Sequence, residues 1–350
     1  MRHAVLVCVL ALSAPPSLFA QDAASESSAI ASVTQLDTLV VSGVQPGPGM
    51  WKVSKGDHVL WVLGTLSPLP KKIEWQAHEV EAAIAQSQEV LASPEVAVSA
   101  NVGFFGQLAL LPSLIGIRKN PDDASLEQVV PPELYARWSV LKGKYIGRSN
   151  KVEKWRPIFA ALELYEAALE KAGLADSGIV QKKVKAAAKR AHVVTTTPRV
   201  ELVIDEPKAT LKEFKSTPLN DLDCFRKTLD RIDTDLGTMT ARANAWATGD
   251  LDALRKLPYT DQMTACRAAI TEANLARKRG MTDVDTRIEK AWLDAASAAL
   301  VKNQVTFAML PIRHLLAADG YLSRLRTQGY AVEEPGALVE DGAETQSGTR

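Results

Sequence analysis

The apolar positions along this chain change period several times, and each change marks an element. Trp51 and Val53, then Val59 to Leu63, form two alternating runs around Ser54-Lys55-Gly56-Asp57, which predicts a hairpin opening the folded part at Met50. From Ile73 to Gln88 the period becomes helical, with Ile73, Ala77, Val80, Ile84 and Gln88 on one face, and Glu89 to Ala92 follows as a strand. Pro131-Pro132-Glu133 sets proline in the first turn of a helix whose apolar face is Leu134, Trp138 and Leu141. A second helix begins at Pro157 and runs to Gly173. Ile179 to Ala191 reads as a basic helix with a solvated face, His192 to Thr196 as a strand, and Val200 to Ile204 as that strand's extension or partner. Between Pro207 and Leu300 the pattern is almost wholly helical, with breaks near Pro218, Gly237, Gly249, Pro258 and Gly280.

The stretch from Val305 to Val332 switches period again. Val305 to Met309 is a short buried strand, Pro311 stops it, and Arg313-His314 occupies the turn. Leu315, Leu316, Leu322 and Leu325 then line a helix, which Gly329 ends before the strand Tyr330 to Val332. The expected fold class is therefore α/β: a central mixed β-sheet flanked by helices, with a largely helical insertion or cap over about 207–300. Ligands of open α/β sheets bind at the C-terminal strand ends, so His314 stands where a functional side chain would stand. A packed or capping histidine fits the spacing equally well.

Charge narrows the partners: 41 Lys and Arg balance 41 Asp and Glu, so nothing electrostatic points to nucleic acid or an anionic membrane. Arg2 and the apolar run Ala4 to Leu12, ending in Leu18-Phe19-Ala20, read as a signal peptide over 1–20 that is too short to span a bilayer. A periplasmic or secreted protein with no integral membrane span is expected. Residues 21–49 read as a disordered leader and 335–350 as a disordered tail, leaving 50–334 as the domain. Val102 to Ile117 is strongly apolar but short of a span. Buried helix-and-loop packing is expected for it, with an exposed flap over the pocket or a lipid-facing edge as the alternative. Beyond the leader only Cys224 and Cys266 remain, an even pair expected to form a disulfide in an exported chain. His78-Glu79 lacks a second histidine four residues on and reads as a solvated helix start rather than a zinc motif.

The two ends of the domain carry a resemblance. Trp51-Lys52-Val53 and the run into Gly64-Thr65-Leu66-Ser67 open it. Pro311-Ile312-Arg313-His314-Leu315, Asp319-Gly320-Tyr321-Leu322, Gly329-Tyr330 and Val332 close it. Both ends resemble the signatures of the TraB/GumN family, relatives of the TIKI metalloproteases and more remotely of the erythromycin-esterase-like fold. Ala245-Trp246 with Gly249-Asp250 is similar to the family's junction between two helices. The resemblance implies a metal-dependent hydrolase site at the strand ends, in which two histidines and a glutamate hold a divalent ion, Zn or Mn, and an arginine reaches the pocket. Carried over residue by residue, His314 and Arg287 keep the family's types, while Ser67 stands for the first histidine and Ser93 for the glutamate. Glu95, two residues on, either replaces that glutamate or is a plain surface carboxylate. A hydroxyl is a poor first-shell donor unless deprotonated. The resemblance thus implies a catalytically degenerate binding or interaction module, with an envelope protein or peptide as partner. The alternatives are a metal-dependent hydrolase built on His314 with Glu95, or Ser67 as nucleophile with His314 as its base.

Overall fold

The computed structural model describes residues 46–336, apart from 177, 260–261 and 279–282. The expected signal peptide, most of the leader and most of the tail lie outside the described residues. Strands β1 (Met50–Lys55) and β2 (His58–Thr65) form the hairpin where the alternation predicts it, paired from Met50↔Leu63 to Lys55↔His58. The other strands are β3 (Leu69–Pro70), β4 (Glu89–Leu91), β5 (Glu95–Ala100), β6 (Leu174–Ala175), β7 (Val194–Thr196), β8 (Arg199–Ile204), β9 (Val305–Pro311) and β10 (Ala331–Glu333). Six of them build one mixed sheet in the order β10-β1-β2-β9-β4-β7, parallel from β2 to β7 and antiparallel at β10, β1 and β2. The fold is α/β, as the pattern predicts.

Helix α1 (His78–Gln86) starts later than the expected Ile73, because Trp75 turns into the core and meets Trp246 edge-on at 5.5 Å. After α2 (Phe104–Leu114) and α3 (Leu126–Val129), helices α4 (Pro132–Tyr145) and α5 (Pro157–Lys171) begin at the predicted prolines, where a missing N–H costs no helical hydrogen bond. Next come α6 (Ile179–Arg190) and, where the helical insertion is expected, a run of helices: α7 (Pro207–Ser216), α8 (Leu222–Thr234), α9 (Leu236–Thr248), α10 (Leu251–Lys256), α11 (Gln262–Thr271) and α12 (Asn274–Lys278). It runs into α13 (Val284–Lys302); α14 (Ile312–Leu316) and α15 (Tyr321–Thr327) follow β9.

One core joins Trp51, Leu60, Val62, Phe307 and Leu310 of the sheet to α1, α6, α13 and Trp246 of α9. A second cluster, around Trp138, Leu164, Phe225 and Leu229, holds α4, α5 and α8 together. The buried guanidinium of Arg156 donates to the carbonyls of Phe214, Lys215 and Thr217, supplying cationic partners to the C-terminal end of α7. Pro46 to Gly49, the last residues of the expected leader, run beside α9, with the Gly47 amide donating to the Ala247 carbonyl at 2.8 Å.

Two further local expectations are corrected. Pro198 interrupts the chain after β7, so Val200 to Ile204 neither extends nor pairs with that strand. As β8 it pairs in parallel with β5, Val96↔Val200 and Val98↔Leu202, a strand hidden from the sequence by its exposed, weakly alternating register. The stretch 102–117, which carries α2, is not buried: Leu108, Leu111, Leu114 and Ile115 are 47%, 56%, 43% and 77% exposed, because α2 rests chiefly on α7. His78 stands exposed at the start of α1, and Cys224 and Cys266 face each other between α8 and α11 with Cα atoms 4.5 Å apart. Among the described residues no helix is long and apolar enough to cross a membrane.

Candidate functional site

Parallel pairing of β2 with β9, from Val59↔Val305 to Thr65↔Pro311, brings the chain out of both strands side by side at the C-terminal ends of the two central strands. Two glycines let α14 settle there. A Cβ at Gly64 would lie 2.9 Å from the Ile312 side chain, and one at Gly320 would lie 2.3 Å from the His314 carbonyl oxygen. Neither position tolerates a side chain without movement of α14. The Gly64 carbonyl also accepts from the Trp246 indole at 2.7 Å, which ties the helical insertion to the strand end.

Between these elements lies a cavity of about 530 Å³. The β2 end contributes Thr65, Leu66 and Ser67; the β9 end contributes Pro311, Ile312, Arg313 and Leu316; the insertion contributes Arg242, Leu254, Leu257 and Tyr259. Arg313 Nη1 donates to the Tyr259 hydroxyl at 3.2 Å, and its guanidinium lies 6.0 Å from the Tyr259 ring centre. Arg242, 5.3 Å from the same ring, is buried with Asp235 and donates to its Oδ2 at 2.6 Å and to the Pro258 carbonyl. A buried guanidinium needs such partners, since an uncompensated charge there costs several kcal/mol.

Ser67 lines the cavity, and its hydroxyl is held by Asp176, donating to its Oδ1 at 3.2 Å and to its backbone carbonyl. Asp176 keeps contact with solvent, yet the protein packed around its carboxyl pushes its pKa above the ordinary carboxylate value, and the Ser67 hydrogen bond offsets only part of that. His314 does not line the cavity. Ile312, Arg313 and Leu316 take the cavity side of α14, and the imidazole meets the Tyr321 ring edge-on at 5.3 Å, with Tyr321 in turn on Trp292 at 5.4 Å. Burial, with Glu289 and Asp285 nearby, pushes the Tyr321 hydroxyl up to about 12.

The other expected residues lie apart from the cavity lining. Ser93 donates to the Met309 carbonyl at 3.2 Å beside β9. Glu95 opens β5, exposed, 3.7 Å from Arg199 across the β5–β8 ribbon. Arg287 on α13 donates to the Glu201 carbonyl of β8 at 3.1 Å. Of the named residues the cavity therefore holds Ser67, accompanied by Arg242, Tyr259 and Arg313, which the sequence reading did not single out as site residues. Arg313 could have been suspected from its place in the turn beside His314. Nothing local marks Arg242 or Tyr259, whose approach depends on how α9 and the segment after α10 fold back. Among the described residues no group of three or more His, Cys, Asp and Glu gathers in a way that could hold a metal ion.

No curated protein and no solved structure matches the chain at a significant level. The model of the TraB/PrgY/gumN family, by contrast, matches residues 49–334, from the glycine before β1 to the residue after β10, and so takes in both strand ends and the insertion over them. On that match, which spans most of its length, the chain belongs to the TraB/PrgY/gumN family.

Proposed function

We propose that this chain is an exported member of its family whose metal-dependent hydrolase site has degenerated, leaving a binding or interaction module for an envelope protein or peptide. The observation that carries this reading is the charge at the cavity: the guanidinium of Arg313, which among the described residues has no carboxylate partner, lines it, and like charge opposes a divalent cation. Ser67 and Ser93, which stand for the family's histidine and glutamate, donate their hydroxyls to Asp176 and to the Met309 carbonyl. His314 meets the Tyr321 ring edge-on. These residues do not fit the set of about three protein ligands plus an open position that a hydrolytic zinc or manganese centre uses, and no hydrolytic step is derived from them. Export is read from the apolar run Ala4 to Leu12, and the close approach of Cys224 and Cys266 supports an oxidised pair in such a compartment.

The test is metal content. The purified full chain is incubated with Zn²⁺ or Mn²⁺, dialysed, and assayed by inductively coupled plasma mass spectrometry. The expected result is a substoichiometric ion content that His314→Ala leaves unchanged. A stoichiometric ion that His314→Ala removes overturns the proposal in favour of a hydrolase built on His314 with a non-standard ligand set.

A further inference from the structure

We infer that the cavity over the β2 and β9 ends takes a carboxylate attached beside an aliphatic group, as presented by a peptide C-terminus or a free N-acyl amino acid, with Arg313 as the anion's partner. The inference rests on the reading of the chain as a binding module and names its ligand class. The lining divides into two parts that match the two parts of such a ligand. Leu66, Leu254, Leu257, Ile312 and Leu316 form an apolar wall, which an aliphatic side chain prefers to water. Arg313, Tyr259 and Ser67 form the polar part, and a volume of about 530 Å³ suits a small ligand.

The arginines around the cavity differ in how far they are committed. Arg242 is 4% exposed and ion-paired with Asp235, and Arg255 is paired with Glu334 at 2.7 Å. Arg313 is half-buried; its hydrogen bond goes to the Tyr259 hydroxyl, and among the described residues it forms no ion pair. A guanidinium carries five N–H donors in a planar fork shaped for a carboxylate, so Arg313 retains donors for a ligand. The Tyr259 hydroxyl, accepting from Arg313, keeps its own proton to donate to the same anion. One guanidinium without a carboxylate partner, set against an apolar wall, matches a single negative charge better than the double charge of a phosphate monoester.

The test is calorimetry on the full chain, freed of metal, with three probes: a short peptide ending in leucine with a free carboxylate, the same peptide amidated, and N-acetyl-leucine. The acid peptide is expected to bind at least about tenfold more tightly than the amide, the scale of a charge-assisted hydrogen bond. Arg313→Gln is expected to reduce that preference to within about twofold without moving the thermal midpoint. N-acetyl-leucine binding as tightly as the acid peptide identifies a small acid as the ligand, and weaker binding identifies a peptide end; both support the inference. Equal binding of acid and amide, no binding of either to folded protein, or a preference that survives Arg313→Gln overturns it. The two proposals fail separately. Loss of preference in protein that also binds no metal overturns the ligand class alone, whereas a preference that appears only after stoichiometric metal loading overturns the binding-module reading as well.

Discussion

Two uncharged apolar stretches of this chain, β9 and α2, meet opposite fates. β9 is inserted between β2 and β4, hydrogen-bonded along both edges and packed against α1, α13 and α14, and Phe307, Ala308 and Leu310 are completely buried. α2 rests chiefly on α7 and leaves Leu108 and Leu111 about half exposed. Hydrophobicity does not separate them; the number of neighbouring elements does. An apolar run announces surface that gains by being covered, but whether its own chain supplies the cover is a property of the assembled fold.

The comparison breaks most visibly at Phe307. Phe307→Ala is expected to cost about 3–5 kcal/mol in urea denaturation, the loss typical of an aromatic truncated in a core, and a loss below about 1 kcal/mol would show that β9 is not the centre of the sheet. Next in size is Gly320→Ala. The new Cβ would meet the His314 carbonyl at 2.3 Å, and the α14 backbone has to shift. An overpacking cost of about 1–3 kcal/mol, measured the same way, is expected.

At the rim of the cavity the effect is smaller and depends on pH. Surrounding protein raises the Asp176 carboxyl above its ordinary 3.8, so the native state holds this proton more tightly than the unfolded chain does. The contribution of the group to stability therefore falls as pH rises from the unfolded value through the raised native one. Asp176→Asn is expected to gain on the wild type between pH 4 and pH 7 in denaturation midpoint; a constant difference across that window would remove the shift. The smallest change is expected on α2, where Leu108→Ser should alter stability by no more than about 0.5 kcal/mol. A loss as large as at Phe307 would mean that α2 is covered in solution and would erase the contrast.

Much of the fold was legible where local rules act alone. The hairpin of β1 and β2 follows from alternation and turn residues, helices α4, α5 and α7 begin at Pro132, Pro157 and Pro207, and Gly329 takes the left-handed conformation expected after the helix it ends. The strand β9, too uniformly apolar to sit anywhere but inside a parallel sheet, was visible for the same reason. Errors fell where long-range contacts outweigh local pattern. Trp75 leaves the helical period to meet Trp246 edge-on, β8 finds β5 instead of β7, and α2 is left outside.

The candidate site divides along the same line. Sequence by itself determined that strands end near Thr65 and Pro311 and that serines stand at Ser67 and Ser93, because strand identity and residue type are local facts; that the two ends lie side by side follows from the long-range pairing of β2 with β9. Only the tertiary structure decided that Ser67 is held by Asp176, that His314 turns to Tyr321, and that Arg242, Tyr259 and Arg313 meet across the cavity. Each of those contacts except His314 with Tyr321 joins residues far apart along the chain, and no local period encodes the packing that brings them together.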